Sequence, residues 1–327
     1  MRFFGIVGQD RVKNILLRTV SAQRIPHAFL FAGPEGVGKR TTALAFFSFL
    51  VCEDPTENDS CGLCRACNMV DAGTFPDLAI LQPERGVIKI DAIRQATPRL
   101  QFEPLIGPWK GLIIDNADLM TLEAANAALK TLEEPPSKTL FILISSNPDV
   151  LPRTVISRCI TLNFNRLSTE DVAAIVAEER GLSPAEIVDA AALSMGSPGR
   201  AIRLLDSPLM GERRAFIQTF LELGTKGLDQ LLAFSKDVAS SKGDEADVLL
   251  LLESLLQDIV HGASGSPDSD FCNYDMVEEI RGFANKIGID KALAAVNAWT
   301  DWDYKRRYHP DLRAALDKVF LTLGGDF

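Results

Sequence analysis

The sequence predicts an α/β domain built on a parallel sheet, followed by an all-helical C-terminal half, and three observations carry that expectation. Between His27 and Phe164, short apolar runs alternate with helix-like stretches: Ala28–Phe31, Leu78–Leu81, Leu112–Ile114, Leu140–Ile144 and Ile160–Leu162. Such runs separated by helical segments are the pattern of strands joined by helical crossovers, and their continuous apolarity predicts burial on both faces. A glycine-rich stretch, Gly33-Pro34-Glu35-Gly36-Val37-Gly38-Lys39, lies between the first run and the next helix-like segment. After Phe164 the strand-like runs stop and helix-start signals take over.

The glycine-rich stretch has the strand-before, helix-after context of a phosphate-binding loop. Gly33, Gly36 and Gly38 let backbone N–H groups turn toward phosphate oxygens, Lys39 supplies a point charge, and the helix N-terminus adds its dipole. A glycine turn without a ligand is the competing reading, so ATP or ADP stays open as a ligand. Position 40 would carry the Ser or Thr hydroxyl that coordinates magnesium, yet the chain has Arg40, which either faces solvent or adds charge beside the phosphates. Thr41 lies one residue late, and a helix turns about 100° per residue, so it does not take over without a shift of the loop. Asp115 ends the Leu112–Ile114 run, where it would hold magnesium through water. Asn116 follows it, and an amide cannot accept the proton of an attacking water. Asp118 is a conceivable substitute or a solvated capping residue. Both departures predict weak or absent hydrolysis.

Cys52, Cys61, Cys64 and Cys67 crowd into one segment. Four thiolates with no fifth candidate ligand among them predict a closed, structural zinc site inserted after the phosphate-loop helix. An iron–sulfur cluster and free thiols are the alternatives. A nucleic-acid-reading module is disfavoured by the surrounding Glu53, Asp54, Glu57 and Asp59.

In the helical half, Ser168 precedes Asp171 by three residues, and Ser183 precedes Pro184 with Glu186 three residues on, both capping signals. A small helical unit is expected to run to about Leu205. Beyond it Leu228, Leu231, Leu232 and Phe234, then Val248, Leu251, Leu252, Leu255, Leu256 and Ile259, recur at helical spacing and predict a bundle. Trp299, Trp302 and Tyr304 are expected in its core, and Gly262–Asp270 is expected to be an exposed, mobile connection.

The chain has 327 residues, 46% hydrophobic and 24% charged, so two or three folded domains are expected. A net charge of −10 disfavours strong autonomous DNA binding. No run approaches the roughly 18 apolar residues of a membrane span, so a cytoplasmic protein is expected.

Further motifs give these features a common context. They are Gly5-Ile6-Val7-Gly8-Gln9, Ile25-Pro26-His27-Ala28, the run Asn126-Ala127-Ala128-Leu129-Lys130-Thr131-Leu132-Glu133-Glu134-Pro135-Pro136, and Ser157-Arg158-Cys159. Across roughly the first 205 residues the chain resembles the clamp-loader branch of AAA+ proteins. The resemblance implies a phosphate-loop sheet domain over 1–165 with the cysteine module inserted at about 52–67, a helical lid over 166–207, and an oligomerising helical collar over 208–327. It implies that Arg158 reaches into the ATP site of a neighbouring subunit, where a guanidinium stabilises charge developing during hydrolysis. Cys159 is expected to be a buried small residue without chemistry. Arg200 resembles a lid arginine that senses nucleotide, with a structural ion pair as the alternative; Ser145 and Ser146 occupy a phosphate-sensing position or simply end a strand. The implied partners are gamma/tau and delta subunits and, indirectly, the sliding clamp and primed DNA during DNA replication. Within that family Arg40 and Asn116 favour a ring-closing subunit without motor activity. An active gamma/tau-like ATPase, with Thr41 and Asp118 as stand-ins, is the alternative.

Overall fold

The computed structural model describes residues 2–223, 230, 233, 236, 245–305 and 311–324. It divides into two compact units, Met1–Arg166 and Leu167–Phe327.

In the first unit the five apolar runs form β1 (Ala28–Ala32), β2 (Leu78–Leu81), β3 (Lys110–Ile114), β4 (Thr139–Ser145) and β5 (Ile160–Asn163). They pair in the order β2-β3-β4-β1-β5, every pair parallel. The helices are α1 (Asp10–Ser21), α2 (Lys39–Val51), α3 (Arg65–Asp71), α4 (Ile90–Ala96), α5 (Leu122–Glu133) and α6 (Arg153–Ile156).

Strand alternation explains why both sheet faces carry a core. Phe29, Phe31, Ile113 and Ile142 point to the face packed by Phe46 and Phe47 of α2. Their neighbours Leu30, Leu112, Phe141 and Leu143 point to the face packed by Ile93 of α4 and Leu132 of α5. Burial on both faces holds for β1, β3 and β4, whose residues are all buried. It does not hold for β2, which is half-buried, or β5, where only Leu162 is buried. The topology gives the reason, since β2 and β5 are the two edges.

The second unit consists, among the described residues, of α7 (Thr169–Arg180), α8 (Pro184–Leu193), α9 (Pro198–Asp206), α10 (Leu209–Leu223), α11 (Glu245–Ser264), α12 (Val277–Ile287), α13 (Ile289–Lys305) and α14 (Leu312–Gly324), with short 3₁₀ turns. Both capping signals are realised: the Ser168 hydroxyl accepts from the Asp171 amide, and Ser183 and Glu186 form a reciprocal capping box. Two cores result. Val172, Val176, Ile187 and Leu204 form one with Leu250 and Leu251, while Leu252, Leu255, Leu256 and Ile259 of the same helix join Phe220, Ile280 and Phe320 in the other. Helix α11 therefore buries opposite stripes in different cores. Trp299 and Trp302 stack in the second core with centroids 5.0 Å apart. Leu228, Leu231, Leu232 and Phe234 lie outside the described residues. No helix among the described residues is long and apolar enough to cross a membrane.

The segment expected to be a loop from Gly262 is helical through Ser264. Gly262 is there for close packing: a Cβ on it would stand 2.9 Å from Ala284 Cβ and 3.3 Å from Arg281 Cα on α12. Past the helix end, Arg281 donates to the Ser266 carbonyl (3.0 Å) and the Asp268 carboxylate (2.6 Å), and its guanidinium lies over Phe271. Gly262→Val is expected to destabilise the protein by about 1–3 kcal/mol through overpacking, read as a lowered urea midpoint at unchanged slope.

Candidate functional site

The phosphate-loop sequence folds as its residue types require. Gly33, Gly36 and Gly38 have φ of 147°, 73° and 92°, and a Cβ on Gly33 would stand 2.3 Å from the Phe164 carbonyl oxygen. Gly38 caps α2 in the left-handed conformation, and Thr42 returns its hydroxyl to the Gly38 carbonyl at 2.8 Å. Lys39 is buried, and its amine donates to the carbonyls of Gly33 and Pro34 and to the Ser146 hydroxyl at 3.3 Å. Ser146 thus meets the loop lysine from the end of β4. Ser145, fully buried, accepts from the Asn147 amide instead.

Arg40 does not simply face solvent. Its Nη1 reaches Asp115 Oδ2 at 3.4 Å, and Gln82 Nε2 approaches the same oxygen at 3.5 Å. Parallel pairing sets Leu81 beside Ile114, so the residues that follow, Gln82 and Asp115, emerge together at the carboxyl ends of their strands, where Arg40 from the first turn of α2 reaches Asp115. Asn116 adopts a left-handed φ of 54°, and Thr41 is exposed. Asp118 accepts the Ser146 amide at 3.2 Å. The residues present do not fit a magnesium–nucleotide complex: the carboxylate that would hold the metal is paired with a guanidinium, position 40 offers no hydroxyl, and Asp118 is occupied by a backbone donor.

Arg158 follows α6 and precedes β5, and it is about one-third exposed. Its Nη2 pairs with Glu133 at 2.6 Å and its Nη1 donates to the Thr154 carbonyl at 2.9 Å. The carboxylate is about half exposed, so the pair is a surface one. Cys159 beside it packs against the sheet core, and burial pushes its thiol up to about 12. In the second unit, Arg200 at the first turn of α9 pairs with Glu253 at 3.1 Å.

The four cysteines converge. Cys52 ends α2 and Cys64 caps α3; all four sulfurs lie within 4.8 Å of one another, with Cys52–Cys64 at 3.9 Å and Cys61–Cys67 at 4.0 Å. Amides of Leu63 and Cys64 point at Cys61 Sγ and draw that thiol down to about 7. Burial pushes the Cys52 thiol up to about 12, a cost that a cation at the centre offsets. Four thiols gathered this closely could hold one metal ion between them.

Four contributors escaped the sequence reading. Glu133 was visible only as part of a motif, and Gln82 carried no signal. Asp59 looked like one of several acidic loop residues; its carboxylate accepts the amides of Phe3 (2.7 Å), Phe4 (3.0 Å) and Ser60 (2.8 Å). Gln9, inside a recognised motif, bonds both ways with Asn165 at 2.7 and 3.0 Å, fastening the start of α1 to the end of β5.

A model of the family "DNA polymerase III, delta subunit" matches residues 8–168. The chain is 32% identical over 308 residues to the DNA polymerase III subunit delta' of Pseudomonas aeruginosa, covering 90% of this chain and 89% of that protein. It belongs to the delta' family. The delta' subunit of Escherichia coli is 36% identical over 221 residues, covering 67% of this chain and 65% of that protein. The subunit tau of Bacillus subtilis is 28% identical over 304 residues, and the chain spans only 54% of its length.

Proposed function

We propose that the chain acts as a delta'-type subunit of a sliding-clamp loader, closing one end of a ring and presenting Arg158 to phosphates held by a neighbouring gamma/tau-type subunit. The observation that carries this reading is the half-exposed Arg158–Glu133 pair. An exposed pair is worth about 0–1 kcal/mol, so little opposes its exchange for a phosphate group. A guanidinium offers a planar fork of donors that bridges phosphate oxygens. The chain's own pocket, with Arg40 on Asp115 and Asn116 in place of a base, supports weak or absent turnover.

The helical unit then divides into a lid over 166–207 and a collar over 208–327 that packs with other subunits, delta among them. Contact with the clamp and primed DNA is made through the assembly, in keeping with a net charge of −10. The cysteine module holds zinc: zinc–sulfur bonds of about 2.3 Å place tetrahedral sulfurs about 3.8 Å apart, close to the 3.9 and 4.0 Å of the two cysteine pairs. With four protein ligands the site is closed, and zinc supplies structure there.

The test is ATP turnover by a loader reconstituted with Arg158→Ala. Assembly with slowed turnover is expected, and assembly with unchanged turnover would remove the role.

A further inference from the structure

We propose that Arg40 is a tethered cation standing in place of a divalent metal, and that this one side chain keeps magnesium–nucleotide out of a phosphate loop that is otherwise intact. Arg40 occupies the position from which a hydroxyl would reach magnesium, directly after the loop lysine. Its guanidinium lies against Asp115, the carboxylate at the end of β3 that would share that metal. Asp115 is mostly buried and receives only donors there, from Arg40 at 3.4 Å and Gln82 at 3.5 Å on the same oxygen. A guanidinium already neutralising this carboxylate opposes a second cation within a few ångströms, both by direct repulsion and by occupying the ligand. The backbone, in contrast, is unspoiled. The loop glycines hold positive φ and Lys39 stands at the start of α2.

At the metal position the obstruction is therefore confined to the Arg40 side chain, and replacing it with the ligand type the position lacks should restore magnesium binding there. Arg40 is half exposed on the first turn of α2, so its removal leaves no buried cavity. Asn116 is untouched by the change, so the gain is in binding and not in hydrolysis. The inference thus stands apart from the role of Arg158.

The experiment is titration of the full chain with a fluorescent ADP analogue, with and without Mg²⁺, circular dichroism confirming the fold. In the unsubstituted protein Mg²⁺ is expected to change affinity by less than about twofold. In Arg40→Thr, Mg²⁺ is expected to strengthen binding by about tenfold or more, and adding Asp115→Asn to that variant should abolish the gain. Arg40→Ser serves as a second hydroxyl variant should the threonine protein fold poorly. Magnesium-dependent binding by the unsubstituted chain, or no magnesium-dependent gain in a folded hydroxyl variant, overturns the proposal. Either result leaves the Arg158 reading to its own assay.

Discussion

Arg158→Ala is expected to slow ATP hydrolysis at the neighbouring subunit's site by about 10³-fold or more, the scale on which arginine fingers act in phosphoryl transfer. At about 1.4 kcal/mol per decade, such a loss corresponds to roughly 4 kcal/mol of transition-state stabilisation. That exceeds by several-fold what the residue contributes to its own chain. Within this chain Arg158 has a surface ion pair with Glu133 and a hydrogen bond to the Thr154 carbonyl, and neither leaves a buried orphan when removed. Unfolding of the isolated variant should therefore move by less than about 1 kcal/mol. Arg158→Lys separates charge from geometry: an ammonium restores the charge without the bridging fork, so turnover should remain well below that of the unsubstituted loader. Glu133→Gln should leave turnover near the starting value, because it releases the guanidinium without removing it. Single-turnover hydrolysis by the reconstituted loader is the measurement. A stable assembly in which Arg158→Ala and the unsubstituted subunit hydrolyse at the same rate would show that the arginine does no more than hold Glu133.

The contrast between these residues and the sheet explains what could be read in advance. Strands declare themselves locally, since burial on two faces demands an unbroken apolar run, and the fully buried β1 was legible to within one residue. The edge character of β2 and β5 was not, because strand order is set by crossovers and not by composition within a strand. The phosphate loop was legible because its glycines and lysine are contiguous. What occupies it was not, because the Arg40–Asp115 contact joins residues 75 apart in sequence and Gln82 reaches it from a third element. Gly262 was misread for a related reason: glycine is equally compatible with a flexible loop and with two helices in close approach, and only the position of Ala284 decides.

The cysteines were legible as a cluster able to hold a metal but their ties to the N-terminal segment were not, and those ties set the second large expected effect. Structural zinc in small modules contributes an apparent 10–16 kcal/mol or so at neutral pH, far more than the local alternatives here. Helix α3 has seven residues, too few to be helical unaided, and Cys64 is its cap. The loop from Glu53 to Asn58 is exposed. The N-terminal residues lean on the same module: Arg2 donates to the Cys61 carbonyl at 2.7 Å, and the Phe3 and Phe4 amides end on Asp59. Phe3 in turn packs against Phe46 in the sheet core. Removing the metal with a strong chelator, or replacing Cys61 with serine, is expected to release the 52–64 loop, α3 and residues 2–4 together. The strands should stay folded, since β1, β3 and β4 are buried by packing that needs no ligand. Hydrogen exchange resolves the two outcomes: amides of Phe3, Phe4, Ser60, Cys61, Cys64 and Cys67 should lose protection while those of Leu30, Ile113 and Ile142 keep theirs. Because the ligands are thiolates, acidification should displace the metal and give the same pattern. Protection at Phe3 and Phe4 that survives complete metal removal would mean that Asp59 holds the N-terminal segment without help from the cysteines.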